Sequence, residues 1–336
     1  LLFFDMTSAA PTLDTESPSP SASKAEARSV AHAGFGMTDL GLILMAVIWG
    51  VNFSVVKVGL RAIDPLPFAA LRVLLAAIVL VALAAATRGA TLPPRRDIVA
   101  LLGLGVIGNG LYQLLFIAGL LHTRAGIAAL LIAAGPAWIA VMSRLMGRER
   151  LPARGWIGIG LQMIGVGCVV GSAGGSDMGS GALLGAALIA AGSATWATFT
   201  VLLQPYSVRV HPFQLSAITM VSGALVCLVV AVPGLLHTNW SGIGVGAWGA
   251  LLYASIGSMV LAYLLYYHGI RVLGATRTAV YGNLQPLVAL AVAALVLGER
   301  PTGWQLFGAA FIMAGLLMSR TTRVQPVASS PLADRS

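Results

Sequence analysis

Few side chains in this sequence could do chemistry, and where they stand limits what that chemistry is. None of the 11 carboxylates lies deep in an apolar run. Asp5, Asp14, Glu16, Glu26 and Asp334 stand in polar ends, while Asp39, Asp64, Asp97, Glu149, Asp177 and Glu299 stand at or between the ends of apolar runs. The five histidines, His32, His122, His211, His237 and His268, offer no pair at ligand spacing. Cys168 and Cys227 are single thiols inside apolar runs, where they read as small packing residues. With no Ser–His–Asp set, paired carboxylates, HExxH motif or phosphate-binding loop, neither an enzyme nor a metal or cofactor site is expected.

What remains is neutral and aromatic. Asn52, Asn109, Tyr112, Gln113, Trp138, Trp196, Tyr263, Asn283 and Gln285 stand near the middle of apolar runs. An amide in hydrocarbon must find a partner. Each of these residues is therefore either an interhelical hydrogen bonder or part of a pocket in which rings stack on a ligand and amides hold its polar end. Lys57 and Arg72 are the two cations inside apolar runs. Either can snorkel to an interface, make an interhelical hydrogen bond or attract a substrate carboxylate, and for Arg72 a structural role, with Asp64 or backbone carbonyls as partners, is the favoured reading. Pro136 and Pro286 fall near mid-run. Each removes an N–H and frees a carbonyl one turn earlier, which makes a packing kink or a hinge at a cavity wall.

The elements that position these residues follow from composition. The chain has 336 residues, 58% hydrophobic and 9% charged. Soluble domains carry about 25% charged residues, so this chain could not cover its own surface in water. That excludes a cytosolic enzyme, a nucleic-acid-binding domain and a disordered protein. The 40 glycines show no collagen period. The lipid bilayer is the remaining solvent, and a helical span needs about 20 apolar residues. The pattern predicts ten helices, over 38–61, 66–87, 98–121, 123–146, 153–171, 181–204, 211–235, 244–271, 275–297 and 302–320. Tight junctions are expected near Thr123 and near Leu273–Gly274. Residues 1–37 and 321–336 read as tails, the first of them disordered, and 172–180 as a linker. Met6 is the expected natural start. The opening Leu1–Phe4 is too short for a signal-peptide core.

Charge sets the orientation. Of 20 basic residues, fifteen fall on the side holding the first tail, and only Arg61, Arg124 and Arg300 on the other. Basic residues collect in cytoplasmic loops, so both ends are expected in the cytoplasm and the net charge of +9 reflects topology.

The two halves echo each other. Pro136 precedes Glu149 by the spacing at which Pro286 precedes Glu299, and Trp156, Gly160 and Gly167 match Trp304, Gly308 and Gly315. Pro67–Phe68 matches Pro212–Phe213, and Phe53–Val55 matches Phe199–Val201. A repeat of five helices is odd, so the second copy must enter the membrane inverted. Inverted repeats point to alternating access around a midplane site. Small residues along the third and fifth helices (Gly103, Gly105, Gly108 and Gly110; Gly158, Gly160, Gly165 and Gly167) suit close helix packing.

These residues carry a resemblance. Trp49-Gly50-Val51-Asn52-Phe53, Pro67–Phe68 with Arg72, and the Gly-Glu-Arg after the fourth and ninth helices resemble the EamA-type drug/metabolite transporters, over about 38–320. The resemblance implies an all-α polytopic fold of ten helices, as two inverted five-helix repeats (38–171 and 181–320) around a central cavity. Within the family the chain looks most like YddG-type exporters of aromatic and neutral amino acids. The implied protein is an inner-membrane monomer with a small-molecule substrate, in contact with the bilayer and with no nucleic acid. Alternatives keep the fold with a drug, nucleotide sugar or phosphorylated cargo, or make it a membrane sensor. The missing intramembrane acid predicts facilitated transport rather than proton-coupled cation efflux. Reporter fusions at either end should read out in the cytoplasm. A periplasmic signal from one of them would break the even count of spans.

Overall fold

In the computed structural model, residues 36–87, 92–146, 149–150, 153–172, 181–207, 209–282, 284–320 and 325–326 are described, and they are almost entirely helical. The elements are α1 (Met37–Gly59), α2 (Pro65–Ala86), α3 (Arg95–His122), α4 (Ala125–Ala133), α5 (Gly135–Leu145), α6 (Ala153–Ser172), α7 (Ala182–Ser207) and α8 (Pro212–His237). Then follow α9, built from Val245–Leu252, Tyr253–Leu261 and Ala262–Tyr281, and α10 (Leu284–Leu297) and α11 (Gly303–Arg320). Among the described residues, one extended pairing joins Glu149–Arg150 to Gln325–Pro326. Most of the two tails and of the 172–180 linker lies outside the described residues.

Six helices are long and apolar enough to cross a membrane, and a seventh crossing results if α4 and α5 count as one bent span. Parts of α6, α10 and α11 form shorter apolar helices. The outer surface is what lipid requires: Ile78, Val81, Val229, Leu295 and Phe307 are all exposed.

Two boundaries differ from the sequence reading. The expected fourth helix is broken at Ala134, and its two arms bend by 41°. A proline at position 136 lacks the N–H that regular helix needs there. The junction expected at Leu273–Gly274 is absent. Helix continues to Tyr281, and the break falls at Gly282 instead. A lone glycine costs a helix only about 1 kcal/mol relative to alanine, too little to stop it. The break again comes just before a proline, Pro286.

Packing has a plain regularity. α2 lies along α8, and α6 along α11; α1 packs on α9 and α10, and α7 on α3, α4 and α5. Taking α4 and α5 as one, the pairings are unchanged when the first five helices are exchanged for the last five. The main core joins α1, α3, α4, α7 and α10 around Phe53, Phe116, Ile127, Leu131, Ile189 and Ala289. Two helices, α3 and α9, contain a stretch of wider π-type turns, Val106–Leu111 and Tyr253–Leu261. Such turns leave carbonyls without their usual partner. Neighbouring donors fill the gaps. Trp49 Nε1 donates to Ser258 O at 3.0 Å, and the Cys227 thiol lies 3.9 Å from Gly110 O.

The glycines divide by contact. A Cβ on Gly308 would meet Gly165 O at 2.8 Å and Val169 Cγ2 at 2.7 Å, and one on Gly165 would meet Gly308 O at 2.6 Å. Gly103, Gly160 and Gly167 have open space beside them.

One ionic cluster ties the elements together at the end of α1. Glu299, beyond α10, accepts from the N–H groups of Ala125 and Gly126 at 3.0 and 3.2 Å and pairs with Lys57 at 3.4 Å. A carboxylate at a helix N-terminus satisfies orphan donors and the positive end of the dipole. Lys57, half of the expected carboxylate attraction, is committed to this pair.

Two outcomes follow. Gly308→Leu should lower stability by about 1–3 kcal/mol or more, because backbone blocks the new side chain, whereas Gly160→Leu should be nearly neutral; thermal melts in detergent check both. Glu299→Gln should cost about 1–3 kcal/mol through weakened charged hydrogen bonds, and more than Lys57→Met does, in the same assay.

Candidate functional site

A cavity of about 190 Å³ lies among the middles of α1, α2, α3 and α9, with α7 and the α4–α5 and α9–α10 breaks completing its wall. The spacing of its residues is helical throughout. Trp49, Asn52 and Phe53 come from α1; Tyr112, Gln113 and Phe116 from α3; Ser193 and Trp196 from α7; Met259, Tyr263 and Tyr266 from α9. Residues three and four apart share one face of a helix, so each set presents a single face to the hollow. The breaks add Ile132, Ala133 and Gly135 on one side and Gly282 and Gln285 on the other.

The wall is a connected set of rings. Trp196 lies 5.2 Å from Tyr112 and 5.8 Å edge-on to Tyr263. Tyr263 meets Trp49 edge-on at 5.8 Å, and Trp49 lies 5.5 Å from Tyr266. Tyr112 stacks near Phe116 at 6.1 Å, and Phe116 meets Phe53 at 5.7 Å. Offset and edge-on contacts at these separations are the favourable ring geometries. Trp49 is fixed by its bond to Ser258 O, so its ring is held in place rather than free to swing.

Polar groups are sparse and neutral except one. Arg72 is 2% exposed, donates from Nη2 to Gln113 Oε1, and lies with its guanidinium 5.4 Å from the Phe116 ring centre. It does not reach the surface, and its partner is Gln113 of α3 rather than Asp64, so the interhelical hydrogen bond holds and the suggested partner differs. Depth is the reason: Arg72 is two turns into α2, on the face turned to the core. Buried Asn52 Oδ1 and Arg72 Nε have no hydrogen-bond partner among the described residues. No cluster of three metal-ligating side chains occurs among the described residues.

Of the residues singled out from the sequence, Asn52, Arg72, Tyr112, Gln113, Trp196, Tyr263 and Gln285 line this cavity. Asn109 does not. It is buried against Gly223 of α8, because the π-type turns at Val106–Leu111 shift the helix face that α-helical spacing would assign. Trp138 is half-buried and off the wall, which α5 reaches through Gly135 and Ile139 instead. Lys57 stands in the ionic cluster. Pro286 is buried in the first turn of α10, and Pro136 sits in the first turn of α5, each beside a break. Asn283 and the side chain of Pro136 lie outside the described residues. The wall also contains residues not singled out, Trp49, Phe53, Phe116, Ser193 and Ser258 among them. Trp49, Phe116 and Ser193 stand three or four residues from wall residues that were, which was their signal; Phe53 and Ser258 do not.

The sequence profile of the EamA-like transporter family matches residues 36–171 and again residues 183–321. A Bacillus subtilis protein, "Uncharacterized transporter YyaM", is 28% identical over 278 residues, covering 82% of this chain and 91% of its own. A Salmonella typhimurium protein, "Probable amino-acid metabolite efflux pump", is 32% identical over 298 residues, covering 84% of this chain and 96% of its own. A solved crystal structure with 20% sequence identity superposes with a TM-score of 0.58, covering 83% of this chain and 94% of that one, which speaks for the fold alone. With the profile matching almost all of the described chain in two successive copies, the protein is a multi-pass membrane protein that belongs to the EamA-like transporter family.

Proposed function

We propose that this transporter exports small apolar or zwitterionic metabolites, aromatic and neutral amino acids foremost, from the cytoplasm by alternating access. The observation that carries the reading is the mid-helix cavity: both profile-matched segments supply its rings and amides, and a single buried cation faces it. A mostly apolar hollow with a few convergent polar groups is the usual form of a small-molecule site. The Salmonella typhimurium relative's printed name supports amino-acid metabolites as the cargo class.

In this reading the chain has ten spans, with 38–171 and 181–320 as oppositely oriented sets of five joined by 172–180. Both tails are cytoplasmic, the membrane is the inner one, and a single chain encloses the whole route. The α4–α5 and α9–α10 breaks, at Ala134 and Gly282, act as the hinges about which the halves rock, with Pro136 and Pro286 keeping them from closing into straight helix. Substrate rings stack among Trp196, Tyr112 and Tyr263, and its polar end meets Asn52, Gln113 and Gln285. The YddG-type resemblance agrees with this cargo.

Proteoliposome efflux of a panel of amino acids, with and without a proton gradient, tests the reading. Phenylalanine or a similar amino acid should leave the vesicles without a gradient. Trp196→Ala and Gln285→Ala should each slow its efflux about tenfold, matching the loss of one good ring or charged-group contact, while Trp304→Ala, on an exposed site, should not. Absence of amino-acid efflux from folded protein would remove the cargo assignment.

A further inference from the structure

We propose that the cavity recognises the carboxylate of its cargo through Arg72 and needs no ammonium, so that its substrates are small aromatic or apolar monocarboxylates with or without an amine. The proposal rests on the reading of this cavity as the transport site and narrows its substrate class.

The charge balance of the walls carries it. A guanidinium stays protonated in proteins, so Arg72 is a fixed positive charge. It is almost wholly buried, and it lines the hollow. Its partners are a neutral amide, Gln113, and the face of Phe116. Its Nε has no partner among the described residues. Among the described residues no carboxylate lines the cavity. The two ion pairs among the described residues, Lys57–Glu299 and Arg209–Asp97, occupy other places. Asp39 is engaged by Tyr281 and the Gly36 N–H at the start of α1, and Asp64 stands at the N-terminus of α2. A buried charge without a counter-charge costs several kcal/mol even after relaxation. An amide and one ring offset part of that, and an anion entering the cavity offsets the rest. A planar carboxylate suits it best, because a guanidinium presents parallel N–H groups to two oxygens.

Among the described residues the same wall holds no negative charge to pair with an ammonium, and its rings attract one only modestly. Its remaining hydrogen-bonding groups, Asn52, Gln285, Ser193, Ser258 and the tyrosine hydroxyls, are all neutral. Asn52 Oδ1 can accept from an amine, but one neutral acceptor adds little once the amine has given up water. A net cation would share the hollow with Arg72 and be repelled by it. The rings supply the rest of the selectivity, since Trp196, Tyr112, Tyr263 and Trp49 surround a space that an apolar body fills.

The test uses the full-length protein in detergent, with tryptophan fluorescence as the readout because Trp49 and Trp196 line the site. Four ligands of one shape are titrated: 3-phenylpropanoate, phenylalanine, 3-phenylpropanol and 2-phenylethylamine. The acid should bind at least as tightly as phenylalanine, and the alcohol and the amine about tenfold or more weakly. Arg72→Gln should erase the preference of acid over alcohol. Should that variant not fold, the ranking in the unaltered protein decides alone. An amine that binds as well as the acid, or an acid-over-alcohol preference that survives Arg72→Gln, overturns the proposal. Failure of phenylalanine efflux with the acid ranked first would remove only the amino-acid reading. Efflux of phenylalanine with the ranking reversed would remove only this one.

Discussion

Hydrocarbon offers no hydrogen bonds, so each amide and carbonyl within a span must be paired inside the protein. Regular helix meets most of that demand, and two interruptions among the described residues stand at the cavity. Ala134 and Gly282 interrupt helices at its wall, and the π-type turns of α3 and α9 run beside it. Their freed carbonyls are taken up by donors on neighbouring helices, the Trp49 indole at Ser258 and the Cys227 thiol at Gly110. Irregular backbone is thus tolerated where protein or a hollow covers it.

Charges are sorted by the same constraint. Glu299 and Lys57 neutralise one another where α1, α4 and α10 meet, and Asp97 pairs with Arg209 at 3.6 Å at the starts of α3 and α8. Both sets lie at helix ends, where water and helix dipoles lower their cost. Arg72 is the exception, since it is held deep by Gln113 and Phe116 with no carboxylate beside it. An ionisable group at such depth is the feature from which the proposal about this cavity starts.

Much of this was legible in the sequence, and the remainder was hidden for physical reasons. Long apolar runs with polar punctuation located α1, α2, α3, α7 and α8 to within a few residues, because a span has a fixed length. Gly274 misled, since glycine reads as punctuation while its helical cost is small. Asn109 misled because helical wheels assume 3.6 residues per turn and the π-type turns break that phase. Arg72 was legible as an in-span cation, but its depth was not, since snorkelling and burial leave the same trace in one dimension. Glu299 stood at a recognisable loop motif, but its bonds to Ala125 and Gly126 cross 174 and 173 residues of chain, a distance no local pattern spans.

The ring network bears on how a cavity of this kind could change access. Trp196 of the second half touches Tyr112 of the first, and Trp49 of the first touches Tyr263 and Tyr266 of the second. Ring contacts of this sort are worth about 0.5–1.5 kcal/mol each beyond the area they bury. If the halves rock, these contacts must slide or part, and the same rings that would hold an apolar ligand are the ones released. A ligand seated between Trp196, Tyr112 and Tyr263 replaces ring-to-ring contacts with ring-to-ligand ones, so the loss on moving is smaller when the site is filled. Coupling between occupancy and movement then needs no separate switch. Under the proposed rocking it would follow from a wall built of rings from both matched segments, while Gly165 and Gly308 hold α6 and α11 in close contact.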